Sequence, residues 1–441
     1  MRKYFDGLSP VRGAILLSVF FFGIFFRFYG LDLQSPWTDE LASWYFLRNL
    51  DQVFLYESHS PLYYSLLRLF FGLDPGIYSL RMFSATVSVL YLILFFFVGQ
   101  KFWEKDRLII FMVLICLNPV DIEYARMARH YGILLEGSLF YLFLIQAGVR
   151  PRVLIPYGAF LGFIHVFAII PICTIIFWKY VQNREWKRFF VLFSGPSLVI
   201  FYYLVRVIYL GHQKVKSNVA WNSYGFIDLL SSTFNQFLGE AYPRSNVYPI
   251  PLVLSLFLVG LALVFLIYRR TSSGKLFFLT WLISIATVEI LALMWINLRI
   301  NRYLIYLPGL LCFALTEAIP RPRLRYQIGL WALMLSLNIM FNPLKPFEWD
   351  NEAVKVWKSY EGQYPSMPRL ICANRYQSAY YGLDAPTLCR DEVGKIDLMR
   401  PFLFFDLNNN DGFITLFLIN HMRPVEQTDF RHSRIIRFEP R

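Results

Sequence analysis

Apolar blocks about as long as a bilayer-spanning helix, roughly 20 residues, recur along this 441-residue chain, and its lysines and arginines cluster in the short runs between them. Within the blocks the apolar residues are continuous rather than spaced for an amphipathic helix, which is the pattern of transmembrane helices. Composition agrees. Of the residues 17% are charged and 56% hydrophobic, where a soluble chain carries about a quarter charged. The expected fold class is a polytopic α-helical membrane protein. A net charge of +13 invites a nucleic-acid reading, but basic clusters between apolar blocks are what the positive-inside rule produces. No segment resembles a nucleic-acid-binding module, so the lipid bilayer is an expected partner and nucleic acid is not.

The first expected span, at about 13–29, follows Arg2, Lys3 and Arg12 and ends at Arg27-Phe28-Tyr29. It lacks a small-residue cleavage site and reads as an anchor, not a signal peptide. Further spans are expected at about 80–100, 107–120, 127–147, 189–210, 248–268, 276–296, 303–319 and 326–342. The stretch 153–180 holds Gly162, His165 and Pro171 and reads as two short spans turning outside near His165, which makes about eleven spans. The clusters at Lys101, Lys105 and Arg107, at Arg150 and Arg152, at Arg184, Lys187 and Arg188, at Arg269, Arg270 and Lys275, and at Arg321, Arg323 and Arg325 then share one side. That asymmetry places the N-terminus in the cytoplasm and the C-terminus outside.

Two outer regions carry other structure. In the loop 30–72 a short helix at about 38–50 sets Leu41, Trp44 and Tyr45 on one face. It is expected to lie along the membrane surface, where Trp and Tyr prefer to sit, and 61–72, too short to span, forms a second surface or half-inserted helix. From 344 the composition becomes that of a soluble domain. The expected division is therefore a transmembrane domain, 1–343, and a small extracytoplasmic α/β domain, 344–441. In the latter, 350–361 reads as a helix, and 371–373 and 401–406 as strands. Cys116, Cys173 and Cys312 fall in spans as packing residues, while Cys372 and Cys389 fall in the external domain, free or joined as a disulfide.

Charges gathered at one membrane face carry the chemistry. Burying one near the bilayer centre costs ~2.5–3.5 kcal/mol even on a lenient scale, so such residues are usually functional or paired. Asp39, Glu40, His59, Arg81, Glu123, Arg126, Arg129, His130, His165, Arg299 and Arg302 all thread to the outer surface. Most have a plainer reading. Thr38-Asp39-Glu40 suits a helix start, and His59 before Ser60-Pro61 suits a turn. Glu123, Arg126 and His130, on one face of a helix, suit an internal salt bridge. Arg302-Tyr303 suits an interfacial anchor, His165 a core histidine, and the deeper Glu136 and Glu289 inward hydrogen bonds.

Taken in order, these residues form a pattern. Asp39-Glu40 is followed by His59-x-Pro61-Leu62-Tyr63-Tyr64, Arg81 before an apolar span, Glu123-x-x-Arg126-x-x-x-His130-Tyr131, and Arg302-Tyr303-x-x-x-x-Pro308. The set resembles the GT-C class of membrane glycosyltransferases, nearest the bacterial relatives of protein O-mannosyltransferases and of the aminoarabinose transferases that modify lipid A. It covers about 30–310 and extends loosely to an external C-terminal domain. Two features depart from it: many relatives have two prolines after the histidine, where this chain has Ser60-Pro61, and Arg129-His130 is an extra basic pair.

The resemblance implies a polyprenyl-phosphate sugar donor, an extracytoplasmic lipid, glycan or protein acceptor, and a bacterial plasma membrane. Asp39 is the expected base for the acceptor hydroxyl, with Glu40 its neighbour or stand-in. Arg302, then Arg126 and Arg129, are expected to bind the donor phosphate. His59, Glu123, His130, Tyr131, Arg81, His165 and Tyr303 are expected to position sugar or acceptor. Some relatives hold a divalent metal and others none, and no metal site is assigned. Two other functions suit a chain of this kind: a lipid-linked sugar flippase or transporter, and a glycan polymerase or ligase.

Overall fold

A computed structural model of the chain describes residues 9–32, 36, 38–56, 62–210, 271–293, 304, 306–319, 323–341, 349–373, 375–383, 397, 399–407, 412–429 and 433–441. Helices dominate. The first are α1 (Pro10–Phe28), α2 (Thr38–Arg48), α3 (Leu50–Tyr56), α4 (Leu62–Phe71) and α5 (Ile77–Gly99). Next come α6 (Lys105–Cys116), α7 (Pro119–Ala125), α8 (Tyr131–Gln146), α9 (Pro151–Ile164) and α10 (Ile169–Ile176). Then follow α11 (Trp186–Leu210), α12 (Ser272–Leu293), α13 (Tyr306–Ala318), α14 (Leu324–Phe341) and α15 (Trp349–Gln363). The chain closes with β1 (Arg369–Cys372), α16 (Arg375–Tyr381), β2 (Phe402–Asp406), α17 (Gly412–His421), β3 (Met422–Asp429) and β4 (Arg434–Pro440).

The chain forms two compact units. The first comprises Met1–Tyr29, Asn49–Leu73 and Ser79–Leu344. Among its described residues four helices are long and apolar enough to cross a membrane: Pro10–Phe28, Ile77–Gly99, Trp186–Arg206 and Ser272–Ile290. A fifth crossing results if α6 and α7, bent by 56°, count as one. The apolar stretch at 153–180 is broken where the sequence placed a turn. His165 has extended backbone (φ −153°, ψ 126°), followed by a single 3-10 turn, Val166–Ala168, before α10. The block 248–268 lies outside the described residues.

The bend between α6 and α7 follows from Pro119, which has no N–H to give and restricts the residue before it. Asn118 caps α7, its side-chain oxygen accepting from the N–H groups of Val120 and Asp121. The break also frees carbonyls at the end of α6, which need partners inside an apolar bundle. Arg27 of α1 donates to Cys116 O at 2.9 Å, and Asn338 of α14 donates to Leu117 O at 2.7 Å. α1 reaches α6 because Gly23 has no side chain: a Cβ there would stand 3.0 Å from Cys116 Cβ. Close approach at a small residue is the ordinary means of packing membrane helices.

The second unit comprises Gly30–Arg48, Asp74–Tyr78 and Lys345–Arg441. Its four-stranded sheet has the order β1-β2-β4-β3, with β1 and β2 parallel and the other pairs antiparallel. All five residues of β2 are buried, because alternate side chains serve opposite faces. Leu403 and Phe405 pack with Trp357 and Val354 of α15, and Phe402 and Phe404 pack with Ile414 and Leu418 of α17. Trp357 stacks on Phe405 with ring centres 5.0 Å apart. The result is a three-layer α/β/α arrangement in which α15, β1 and β2 overlap the elements expected at 350–361, 371–373 and 401–406, while α16, α17, β3 and β4 are additional.

Candidate functional site

In the first unit residues 121–131 are the charged patch expected to open the span at about 127–147, with Glu123, Arg126 and His130 on one helix face. The three do not share a helix: 126–130 form a break between two helices. α7 ends at Ala125, Arg126 caps it, and α8 begins at Tyr131. The cause is tertiary. Arg126 Nη1 donates to Phe26 O at 2.7 Å and Tyr29 O at 2.6 Å, carbonyls left over at the C-terminal end of α1. A guanidinium held there by charge-assisted bonds fixes α7 where it stops, and the Arg129 N–H then turns back to Met127 O at 2.7 Å.

Four candidate residues meet at that break. Arg129 Nη1 donates to the Tyr64 hydroxyl at 2.8 Å, and its guanidinium carbon lies 5.5 Å from the Tyr131 ring centre. The His130 ring centre is 4.7 Å from Tyr131, 4.8 Å from His165 and 5.4 Å from Tyr63. His165 Nδ1 accepts from the Phe167 N–H at 3.1 Å, so the residue that breaks the apolar stretch also caps the turn after it. Arg129, His130, Tyr131 and His165 are all buried. The group offers a guanidinium fork for an oxyanion, two imidazoles for hydrogen bonds, and aromatic faces. Glu123 and Arg81 are also buried. His59, Arg302, Tyr303 and Arg299 lie outside the described residues.

The sequence alone missed a second charged group in this unit. Arg27, expected at the outer end of the first span, is fully buried and paired with Asp121. Its guanidinium also donates to Ser88 Oγ at 2.7 Å and Gly23 O at 2.9 Å, and lies 3.9 Å from Glu136. Ser88 in turn donates to Glu136. Glu136 thus makes the inward hydrogen bond expected of it. An arginine within an apolar block was the available signal, but the sequence placed it only as the end of the first span.

Asp39 and Glu40 belong to the second unit. They stand in the first turn of α2, where the helix dipole favours negative charge. Asp39 is partly exposed, whereas Glu40 is 1% exposed. The aromatic face of α2 was expected on the membrane surface. It lies instead against α16, with Trp44 only 7% exposed and 5.3 Å from Tyr380 between ring centres. Lipid headgroups and a protein surface ask for the same amphipathic aromatics, so the pattern on α2 did not separate them.

Among the described residues no group of three His, Cys, Asp or Glu side chains is placed to hold a metal ion. Cys372 is disulfide-bonded and Cys116, Cys173 and Cys312 are free; Cys389 lies outside the described residues. No family model, curated protein or solved structure matches the chain.

Proposed function

We propose that this chain is an integral-membrane glycosyltransferase. It moves a sugar from a polyprenyl-phosphate donor to a hydroxyl on an extracytoplasmic lipid, glycan or protein. The topology assumed is the one threaded from the sequence: about eleven spans, an N-terminus in the cytoplasm of a bacterial cell, and an outer C-terminal domain. The observation that carries the proposal is the grouping of Arg129, His130, Tyr131 and His165 with Tyr63 and Tyr64, in a unit whose long helices suit a bilayer. Buried guanidinium, imidazole and aromatic groups together suit a donor that is both anionic and a sugar.

In the reaction the acceptor oxygen attacks the anomeric carbon while its proton passes to the carboxylate of Asp39. The bond from that carbon to the phosphate oxygen breaks, and polyprenyl phosphate leaves with the electron pair. Arg302, Arg126 and Arg129 stabilise the leaving phosphate. His59, Arg81, Glu123, His130, Tyr131, His165 and Tyr303 position the two substrates. Because phosphate leaves readily, one displacement suffices, and the configuration at the anomeric carbon inverts. Between the two adjacent acids the partial exposure of Asp39 favours it over the buried Glu40.

The test is transfer of radiolabelled sugar from polyprenyl-phosphate donors in isolated membranes, with and without the protein. Product that depends on the protein supports the proposal. Donor that crosses the bilayer with no sugar transferred overturns it in favour of a flippase, and chain elongation of a preformed glycan favours a polymerase.

A further inference from the structure

The second unit joins two distant parts of the sequence. α2, which carries Asp39, packs against α16 of the C-terminal region through three aromatic contacts. Trp44 meets Tyr380 edge-on at 5.3 Å between ring centres, and Tyr376 meets Tyr45 at 5.4 Å and Phe46 at 5.6 Å. Tyr376 and Tyr380 are one helical turn apart, so both rings present on one side of α16. At the far end of α2 the Arg48 guanidinium lies 3.9 Å over the Trp44 ring and pairs with Asp74. α16 is itself anchored, since it follows β1, whose last residue, Cys372, is disulfide-bonded and stands opposite Asp406 of β2.

An 11-residue helix is too short to hold its shape alone, since isolated helices below about 12–15 residues are marginal. Its form and direction come from what it packs on, and within this unit that is α16. We propose that α16 is a positioning element for the transfer step: through Tyr376 and Tyr380 it sets where α2 points the Asp39 carboxylate. The inference rests on Asp39 being the base. It gives the C-terminal domain a part in catalysis itself, apart from any role in capturing an acceptor. Placement matters at this scale, since a shift of about 1 Å in a reacting group costs up to 100-fold in rate.

Two measurements on the full-length protein test this. The first is steady-state transfer by a Tyr376→Ala/Tyr380→Ala variant and by its Tyr376→Phe/Tyr380→Phe counterpart. The second is the mobility of a nitroxide label on Asp39→Cys, with and without the two alanine changes. The expected result is a kcat lowered about tenfold or more with donor KM unchanged, near-normal kcat in the phenylalanine variant, and a more mobile label. A label whose mobility does not change overturns the proposal, as does a mobile label with unchanged kcat. If the label loosens while the wild-type protein transfers no sugar, α16 still positions α2, and it is the transferase reading that fails.

Discussion

Arg27 and Asp121, 94 positions apart, form an ion pair with neither side chain exposed to solvent. The same guanidinium reaches Gly23 O, Cys116 O and Ser88 Oγ, so one side chain ties α1 to α5, α6 and α7. Glu136 joins from α8 through Ser88.

Removing one member of this group should unfold the bundle more than its position near a helix end suggests. Arg27→Met leaves Asp121 buried without its cation, an arrangement that costs about 3–5 kcal/mol. Lower accumulation and a lower Tm in detergent are the expected readouts. Arg27→Lys should fail to restore either, because an ammonium lacks the planar fork that serves four partners at once. A lysine variant with wild-type Tm would contradict this account.

Arg126 and Arg129 should separate by phenotype although they are three residues apart. Arg126 holds the last carbonyls of α1, and hydrogen bonds from a charged donor are worth ~1.5–3 kcal/mol each. Arg126→Ala is therefore expected to lower Tm and abundance before any kinetic effect can be read. Arg129→Lys keeps a cation and loses the fork, so it should accumulate normally while donor KM rises about tenfold. Thermal unfolding and donor titration on the same preparations check both.

The two adjacent acids should also divide. Asp39→Asn is expected to reduce transfer by about 10²–10⁴-fold, the usual contribution of a general base, with insertion and abundance intact. Glu40→Gln alters a buried side chain and is expected to change Tm more than kcat. Full activity in the Asp39 variant removes it as the base.

Alkylation of the denatured, non-reduced protein should label Cys116, Cys173 and Cys312 and spare Cys372, which peptide mass spectrometry resolves. Cys372→Ser should loosen the second unit by ~2–4 kcal/mol, seen as faster proteolysis of the C-terminal region.

Much of this architecture is legible in the sequence where one local property decides. Block length and apolarity mark α1, α5, α11 and α12, and the run Phe402–Phe405 marks a strand buried on both faces. The proline at 119 and the histidine at 165 both announce breaks. Legibility ends where the deciding partner is distant. The spacing of Glu123, Arg126 and His130 suits one helix face, and the bonds from Arg126 to the carbonyls of Phe26 and Tyr29, about 100 positions earlier, accompany the stop at Ala125. Likewise the aromatic face of α2 is plain, while its partner, α16, lies more than 300 positions on.

The carbonyl of Leu117 waits for Asn338, a residue 221 positions later. At translation rates of about 5–20 residues per second, that is roughly 10–45 s of synthesis. Through that interval the α6–α7 bend has one backbone oxygen unmatched by its eventual donor. In order of synthesis, α1 precedes Cys116, whose carbonyl it closes, whereas α14 follows Leu117 and closes its carbonyl late. C-terminal truncations ahead of α14 leave that carbonyl without its donor and should be degraded rather than stored.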